Sequence, residues 1–443
     1  MTTAPMPAFP AGFRWGVATS AYQIEGGASA DGRGPSIWDT FARTPGRIAD
    51  GSSGDVACDH YHRHREDVTL LADLGVSAYR FSVAWPRVRP GGTGAANPAG
   101  LDFYERLVDD LLAAGIDPVA TLYHWDLPQP LEDAGGWLNR DTAERFAEYA
   151  DLLAARLGDR VKLWITLNEP FIHMSLGYGT GEHAPGHALL MDALPVAHHQ
   201  LLGHGLAVAA LRARGAGAVA VTNHYSPVVP AGDTDADRAA QAAYHALHNR
   251  LFTDPLFGRG YPPGFESPVL RDGDLDVIAA PLDLLGVNYY NPTGIRAAPP
   301  DAPLPFEIVD LTGYPRTACD WPVVPDGLRT VLTWLHAEYG DALPPIQVTE
   351  SGCAYDDRPD ADGRVHDPER IAYLDGHLRA VRAALDAGVD VTGYFVWSLL
   401  DNWEWAEGFD KRFGLVHVDY DTQARTPKSS YAWFRDLIAA HRP

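Results

Sequence analysis

One unit recurs along this chain and constrains its fold more than anything else. A helical stretch ends at a glycine, and a short β-rich run follows within a few residues. Tyr61 to Leu74 ends at Gly75, before the run Ser77 to Val83; Leu101 to Ala114 ends at Gly115, before Pro118 to Tyr123. Asp141 to Leu157 ends at Gly158, before Leu163 to Leu167. Gly327 to Tyr339 ends at Gly340, before Ile346 to Thr349, and Pro368 to Ala387 ends at Gly388, before Val391 to Trp397. A glycine just past a helix suits the left-handed backbone position there. The runs are apolar on both faces, as strands of a covered parallel sheet must be. Arg14 to Thr19, Ala218 to Thr222 and Leu284 to Tyr290 complete a set of eight strands with helical crossovers. Alternating strands and helices fit a doubly wound sheet or a closed barrel. Eight strands in 443 residues without a Pro/Ser-rich linker favour a single (β/α)8 barrel over residues 1–443, with long βα loops. Residues 296–326 and 355–366, rich in Pro, Asp and Gly, read as such loops.

The chemistry-bearing residues cluster where a barrel would gather them. Tyr123-His124-Trp125, Asn168-Glu169, Asn288-Tyr289-Tyr290, Glu350 and Trp397-Ser398 all fall at C-terminal strand ends, the face on which barrel enzymes place their sites. The formal charge of −23 disfavours nucleic acid and anionic membrane as partners. No apolar run reaches the ~20 residues of a membrane span. The three cysteines, Cys58, Cys319 and Cys353, make no disulfide framework, and residues 1–10 show no signal-peptide pattern, so a cytoplasmic protein is expected. There is no phosphate loop, G-x-G-x-x-G after a strand, G-x-S-x-G elbow or H-E-x-x-H. Cys58-Asp59-His60-Tyr61-His62-Arg63-His64 fits no common zinc spacing and precedes a helix, where such residues cap or pair. His198, His199 and His204 sit on what reads as an amphipathic helix, as surface or packing residues.

Glu169 in Thr-Leu-Asn-Glu-Pro and Glu350 in Val-Thr-Glu-Ser-Gly each end an apolar strand. A lone glutamate there is as often a salt-bridge residue. Two of them, amid tryptophan, asparagine and histidine at neighbouring strand ends, would face each other across a barrel mouth. Such a pair suits a sugar acetal: one carboxyl protonates the departing oxygen while the other stabilises or attacks the anomeric carbon.

Over its whole length the chain resembles the family 1 glycoside hydrolases, the β-glucosidase family. Seven segments carry the resemblance in order: Phe13 to Gly26, Tyr79-Arg80-Phe81-Ser82, His124-Trp125-Asp126-Leu127-Pro128, Thr166 to Pro170, Gly286 to Tyr290, Thr349-Glu350-Ser351-Gly352 and Trp397 to Trp405. The family's usual Thr-Glu-Asn-Gly stands here as Thr-Glu-Ser-Gly. The resemblance implies a retaining, exo-acting β-glucosidase without metal or organic cofactor, whose partner is a small β-glycoside or cello-oligosaccharide. Glu350 would be the nucleophile and Glu169 the acid and base, with Arg80 and Tyr290 supporting Glu350. Gln23, His124, Asn168, Asn288 and Glu404 would bind hydroxyls, and Trp125, Trp397 and Trp405 would form aromatic walls. Trp321 would lie on the leaving-group side and Phe413 at the entrance. The Glu404 carboxylate would repel a 6-phosphate, so an unphosphorylated glycoside is expected. β-Galactosidase, β-fucosidase or β-mannosidase activity on the same scaffold is the nearest alternative. A sugar-binding barrel without catalysis would have lost a glutamate, and a metal-dependent barrel would need carboxylate and histidine ligands together at the strand ends.

Overall fold

The computed structural model describes residues 5–441. Eight parallel strands close into a barrel: β1 (Arg14–Ala18), β2 (Ala78–Ser82), β3 (Asp117–Tyr123), β4 (Leu163–Asn168), β5 (Ala218–His224), β6 (Leu284–Asn288), β7 (Ile346–Ser351) and β8 (Val391–Trp397). Each pairs with its neighbours in sequence, and β8 closes on β1. Helices return the chain outside the barrel. Among them are His60–Leu74, Pro98–Ala113, Asp141–Leu157, Leu194–Ala213, Pro325–Tyr339 and Pro368–Asp386. Among the described residues no helix is long and apolar enough to cross a membrane.

The barrel interior is filled by Ala18, Ala78, Val119, Leu163, Ile165, Ala220, Leu284 and Phe395. Small residues on β1, β2 and β5 make room for the Phe395 ring. Gly16, opposite Phe395 in register, completes the fit: a Cβ there would lie 2.3 Å from the ring. This packed layer is the floor of the mouth, because Trp397 and Phe413 belong to the same cluster.

The two glutamate strands are irregular just where the glutamates lie. The β4–β5 register shifts between Ile165 and Asn168, and the β6–β7 register shifts between Val348 and Glu350. Such breaks re-aim the side chains that follow. Beyond β7, Gly352 passes so near the Trp397 carbonyl that a Cβ would sit 1.8 Å from its oxygen. Ser351, the departure from the family pattern, is buried with its hydroxyl 3.4 Å from Tyr373 Oη.

Three expectations need correction. Gly158 is right-handed, with φ of −61°, because the helix simply runs into it. Residues 296–326 are not all loop: strands Thr293–Ala297 and Phe306–Val309 form an antiparallel hairpin there, joined by Val228–Pro230. Helix Leu194–Ala213 is not amphipathic. It lies between the barrel and helices Asp141–Leu157 and Asp274–Ile278, so His198, His199 and His204 are all buried. Their nitrogens bond to Asp274, the Trp137 carbonyl and Thr166. The Cys58–His64 segment also serves structure: His60 pairs with Asp67, which Arg425 holds from the other side.

Gly16→Ala is expected to destabilise the protein by about 2 kcal/mol, since the new methyl must displace the Phe395 ring. Thermal unfolding of the two proteins measures it, and an unchanged Tm would contradict this packing.

Candidate active site

The C-terminal ends of the strands open into a cavity of about 530 Å³. Both glutamates reach it from opposite sides, Glu169 just past β4 and Glu350 within β7. Proline suits the first position of a helix, and Pro170 opens the short one after β4. A residue before proline favours extended backbone, yet Glu169 sits in the left-handed region at φ 45°, ψ 56°, between strand and helix. Trp125, Asp320 and Trp405, which also line the cavity, share a positive φ. Backbone of this kind is strained in residues other than glycine and is kept where surroundings enforce it.

A chain of hydrogen bonds joins the carboxyls. Asn288 Nδ2 donates to Glu169 Oε1 at 2.8 Å and to Asn168 Oδ1 at 3.1 Å. Arg80 Nη2 donates to the same Asn168 oxygen at 2.6 Å, and Arg80 Nη1 to Glu350 Oε1 at 2.7 Å. Tyr290 Oη donates to Glu350 Oε2 at 2.8 Å. The amide orientation of Asn168 then follows: its oxygen takes two donors, so its nitrogen donates to His124 Nε2, 3.0 Å away. His124 must carry its proton on Nδ1. That nitrogen is buried and has no protein partner. Burial and the Arg80 charge hold the His124 pKa well below 6.5, which keeps the ring neutral.

The two glutamates differ electrostatically. Burial raises Glu169 well above 4.5, and the charge of Glu350 raises it further. Burial raises Glu350 too, but Arg80 and Tyr290 pull it back. The pair therefore takes its first proton on Glu169, because only Glu350 touches a cation.

The remaining expected residues divide into two groups. His124, Trp125, Tyr290, Trp321, Trp397, Glu404, Trp405 and Phe413 line the cavity. Gln23, Arg80, Asn168 and Asn288 stand behind the wall, fully buried. Gln23 donates to Glu404 Oε2 at 3.1 Å and to Asn402 Oδ1 and the Trp403 carbonyl, and accepts from Ser20. Trp125 packs on Trp405 at 4.7 Å between ring centres, and His124 lies nearly parallel to Trp397 at 5.7 Å. Trp321 and Phe413 close the other side, each against Tyr290. The loop bearing Glu404 and Phe413 is anchored by buried Asp401, which accepts from Lys428, Arg412 and the Gly414 N–H.

Sequence reasoning missed several lining residues, among them Ile172, Leu176, His183 and His224. His224 ends β5, and the strand-end rule finds it once the strand is extended by two residues. It lies parallel to Tyr290 at 6.1 Å and bonds His248 at 2.8 Å. The others sit in irregular helix and loop, where no periodic signal marks them.

A barrel holding two bridged carboxyls of unequal proton affinity between aromatic walls defines a glycoside hydrolase. Residues 6–443 match Glycosyl hydrolase family 1, and the chain belongs to that family. It is 51% identical over 439 residues to thermostable β-glucosidase B of Thermobispora bispora, covering 97% of this chain and 90% of that protein. It is 45% identical over 460 residues to a bifunctional β-D-glucosidase/β-D-fucosidase of Bifidobacterium breve, covering 98% of each. The family 1 β-glucosidase of Thermotoga maritima superposes with a TM-score of 0.94 at 43% identity, covering 99% of this chain and 100% of that one.

Glu404 adds a pH dependence. Burial and the Glu350 charge push its pKa from 4.5 up to about 8. Between those values the folded protein keeps a proton that the unfolded chain has released, so stability falls as pH rises through the window. Glu404→Gln removes this titration. Its Tm is expected to fall less between pH 5 and 9 than the parent's, by about 4 °C. Parallel Tm–pH curves would refute the assignment.

Proposed function

We propose that the protein is a retaining, exo-acting β-glucosidase that removes terminal β-D-glucosyl residues from small glycosides and cello-oligosaccharides. One observation carries the reading: the continuous path Glu169–Asn288–Asn168–Arg80–Glu350 across a single aromatic-walled cavity. In the first step Glu350 attacks the anomeric carbon, the bond to the aglycone oxygen breaks, and Glu169 gives that oxygen its proton. Forming the ester removes the Glu350 charge, one of the two main causes that raise Glu169. The pKa of Glu169 then falls, and it takes a proton from water as the water attacks the same carbon and the ester bond to Glu350 breaks. Release of glucose restores both carboxyls.

Polar residues of the lining suit the sugar's hydroxyls: His124 and Glu404, the latter placed by Gln23. Trp125, Trp397 and Trp405 suit its apolar C–H faces. The Bifidobacterium relative, named for both glucosidase and fucosidase activity, supports β-fucoside as a second substrate. Residues 1–443 are read as one catalytic domain, since the main apolar core runs from Phe13 to Ile438. The three free thiols, two of them buried, support a reducing, cytoplasmic setting.

Glu350→Ala is expected to abolish hydrolysis and to recover turnover with azide as the α-glycosyl azide. A β-azide product would reverse the assignment of the two glutamates. Glu169→Ala should cut kcat by about 10²–10⁴ on glucosides with poor leaving groups, spare good leaving groups, and give the β-azide. The parent's pH–rate profile is expected to be bell-shaped, with the acid limb from Glu350 and the alkaline limb from Glu169.

A further inference from the structure

The stretch of cavity wall that carries Glu404 and Trp405 is a tight loop, and a turn from near the start of the chain is fastened to it. Within the loop, the Glu404 N–H donates to the Gly408 carbonyl at 2.7 Å and the Gly408 N–H to the Trp405 carbonyl at 3.2 Å. Residues 49–52 meet this loop at three points. The Ala49 N–H donates to the Ala406 carbonyl at 2.8 Å. Asp50 Oδ2 accepts from the Phe409 N–H at 2.8 Å. Asp50 Oδ1 accepts from the Ser52 N–H at 2.9 Å and from Ser52 Oγ at 2.5 Å, and Ser52 Oγ in turn accepts from the Trp403 indole N–H at 2.9 Å.

We propose that Asp50 is a positioning residue for sugar recognition: its carboxylate clasps both ends of the 403–409 loop and so holds Glu404 and Trp405 in place at the cavity; the inference rests on the glycosidase reading above. One carboxylate does this because its two oxygens are used separately. Oδ2 takes the far end of the loop directly, at Phe409. Oδ1 takes the near end through the Ser52 hydroxyl, at Trp403. Hydrogen bonds to an ionised acceptor are roughly twice as strong as neutral ones. The loop is also shaped for this contact. Gly408 passes so near that a Cβ would lie 2.0 Å from Asp50 Oδ1, and its φ of 67° and ψ of −137° belong to glycine. What the clasp holds is the surface that meets the sugar. Trp403 is fully buried against Tyr22 and Trp38. Glu404 lines the cavity with Gln23 behind it, and Trp405 packs on Trp125 and Trp38. Asp50 itself is exposed and makes no ion pair among the described residues, so its carboxylate is spent on this turn and this loop.

Kinetics on p-nitrophenyl β-glucoside, with Tm measured alongside, test this. Asp50→Ala is expected to lower kcat/KM about tenfold. The loss should fall chiefly on KM, because the loop binds sugar and carries neither catalytic glutamate. Tm should stay within about 3 °C of the parent's. Asp50→Asn keeps an acceptor for Phe409 but gives up the other, and should lower kcat/KM only about threefold. Ser52→Ala cuts the Trp403 arm alone and should also cost about threefold. Because Ser52 acts through Asp50, the double variant should lose less than the product of the two single losses. An Asp50→Ala protein with unchanged kcat/KM would overturn this inference and leave the glycosidase reading standing. So would a loss seen in kcat and Tm with KM unchanged, or single losses that simply multiply in the double variant. If Asp50→Ala does not fold, Asp50→Asn and Ser52→Ala decide: a raised KM in both supports the clasp, and an unchanged KM in either overturns it. A parent inactive on every β-glycoside would overturn the glycosidase reading itself, and this inference with it.

Discussion

The Arg80 guanidinium is the contact on which the site depends. From β2 it donates to Thr121 on β3, Asn168 on β4, and both the Thr349 carbonyl and the Glu350 carboxylate on β7. One cation thus ties together side chains from four strands inside the barrel. Without it, two neighbouring carboxyls would be buried with no compensating charge, an arrangement that proteins avoid by leaving both groups protonated. With it placed against Glu350 alone, the pair becomes unequal. The asymmetry of charge, and with it the division of labour between the two glutamates, follows from where one arginine points.

The rest of the mouth is built to hold that arrangement at fixed distance. Asn168 and Asn288 spend their amides on the network rather than on the cavity. Asn168 fixes the tautomer of His124. The wall that carries Glu404 and Phe413 has little regular structure of its own, and a buried cluster beneath it supplies the rigidity. Asp401 is bonded by Lys428 and Arg412, and Lys428 and Arg370 converge on Asp357. Breaking one member of a buried ion cluster costs several kcal/mol. The loop is therefore locked by Arg412 from within it and by Lys428 from outside it.

The sequence alone determined the barrel, because its strands are short, largely apolar runs and five of the helices before them end at a glycine. It also marked both glutamates, Trp125 and Trp397, since each lies at or next to a strand end and that position is local; Arg80, Trp321 and Trp405 were marked by the resemblance to the family. The hairpin at 293–309 was not, because its strands pair beyond the barrel and carry too little alternation. Nor was the burial of His198, His199 and His204, which depends on two helices packing over a third. Tertiary structure alone decided the hydrogen-bond path from Glu169 to Glu350 and the tautomer of His124. Each of these is a matter of ångström distances between residues tens to hundreds of positions apart, and no spacing along the chain encodes such distances.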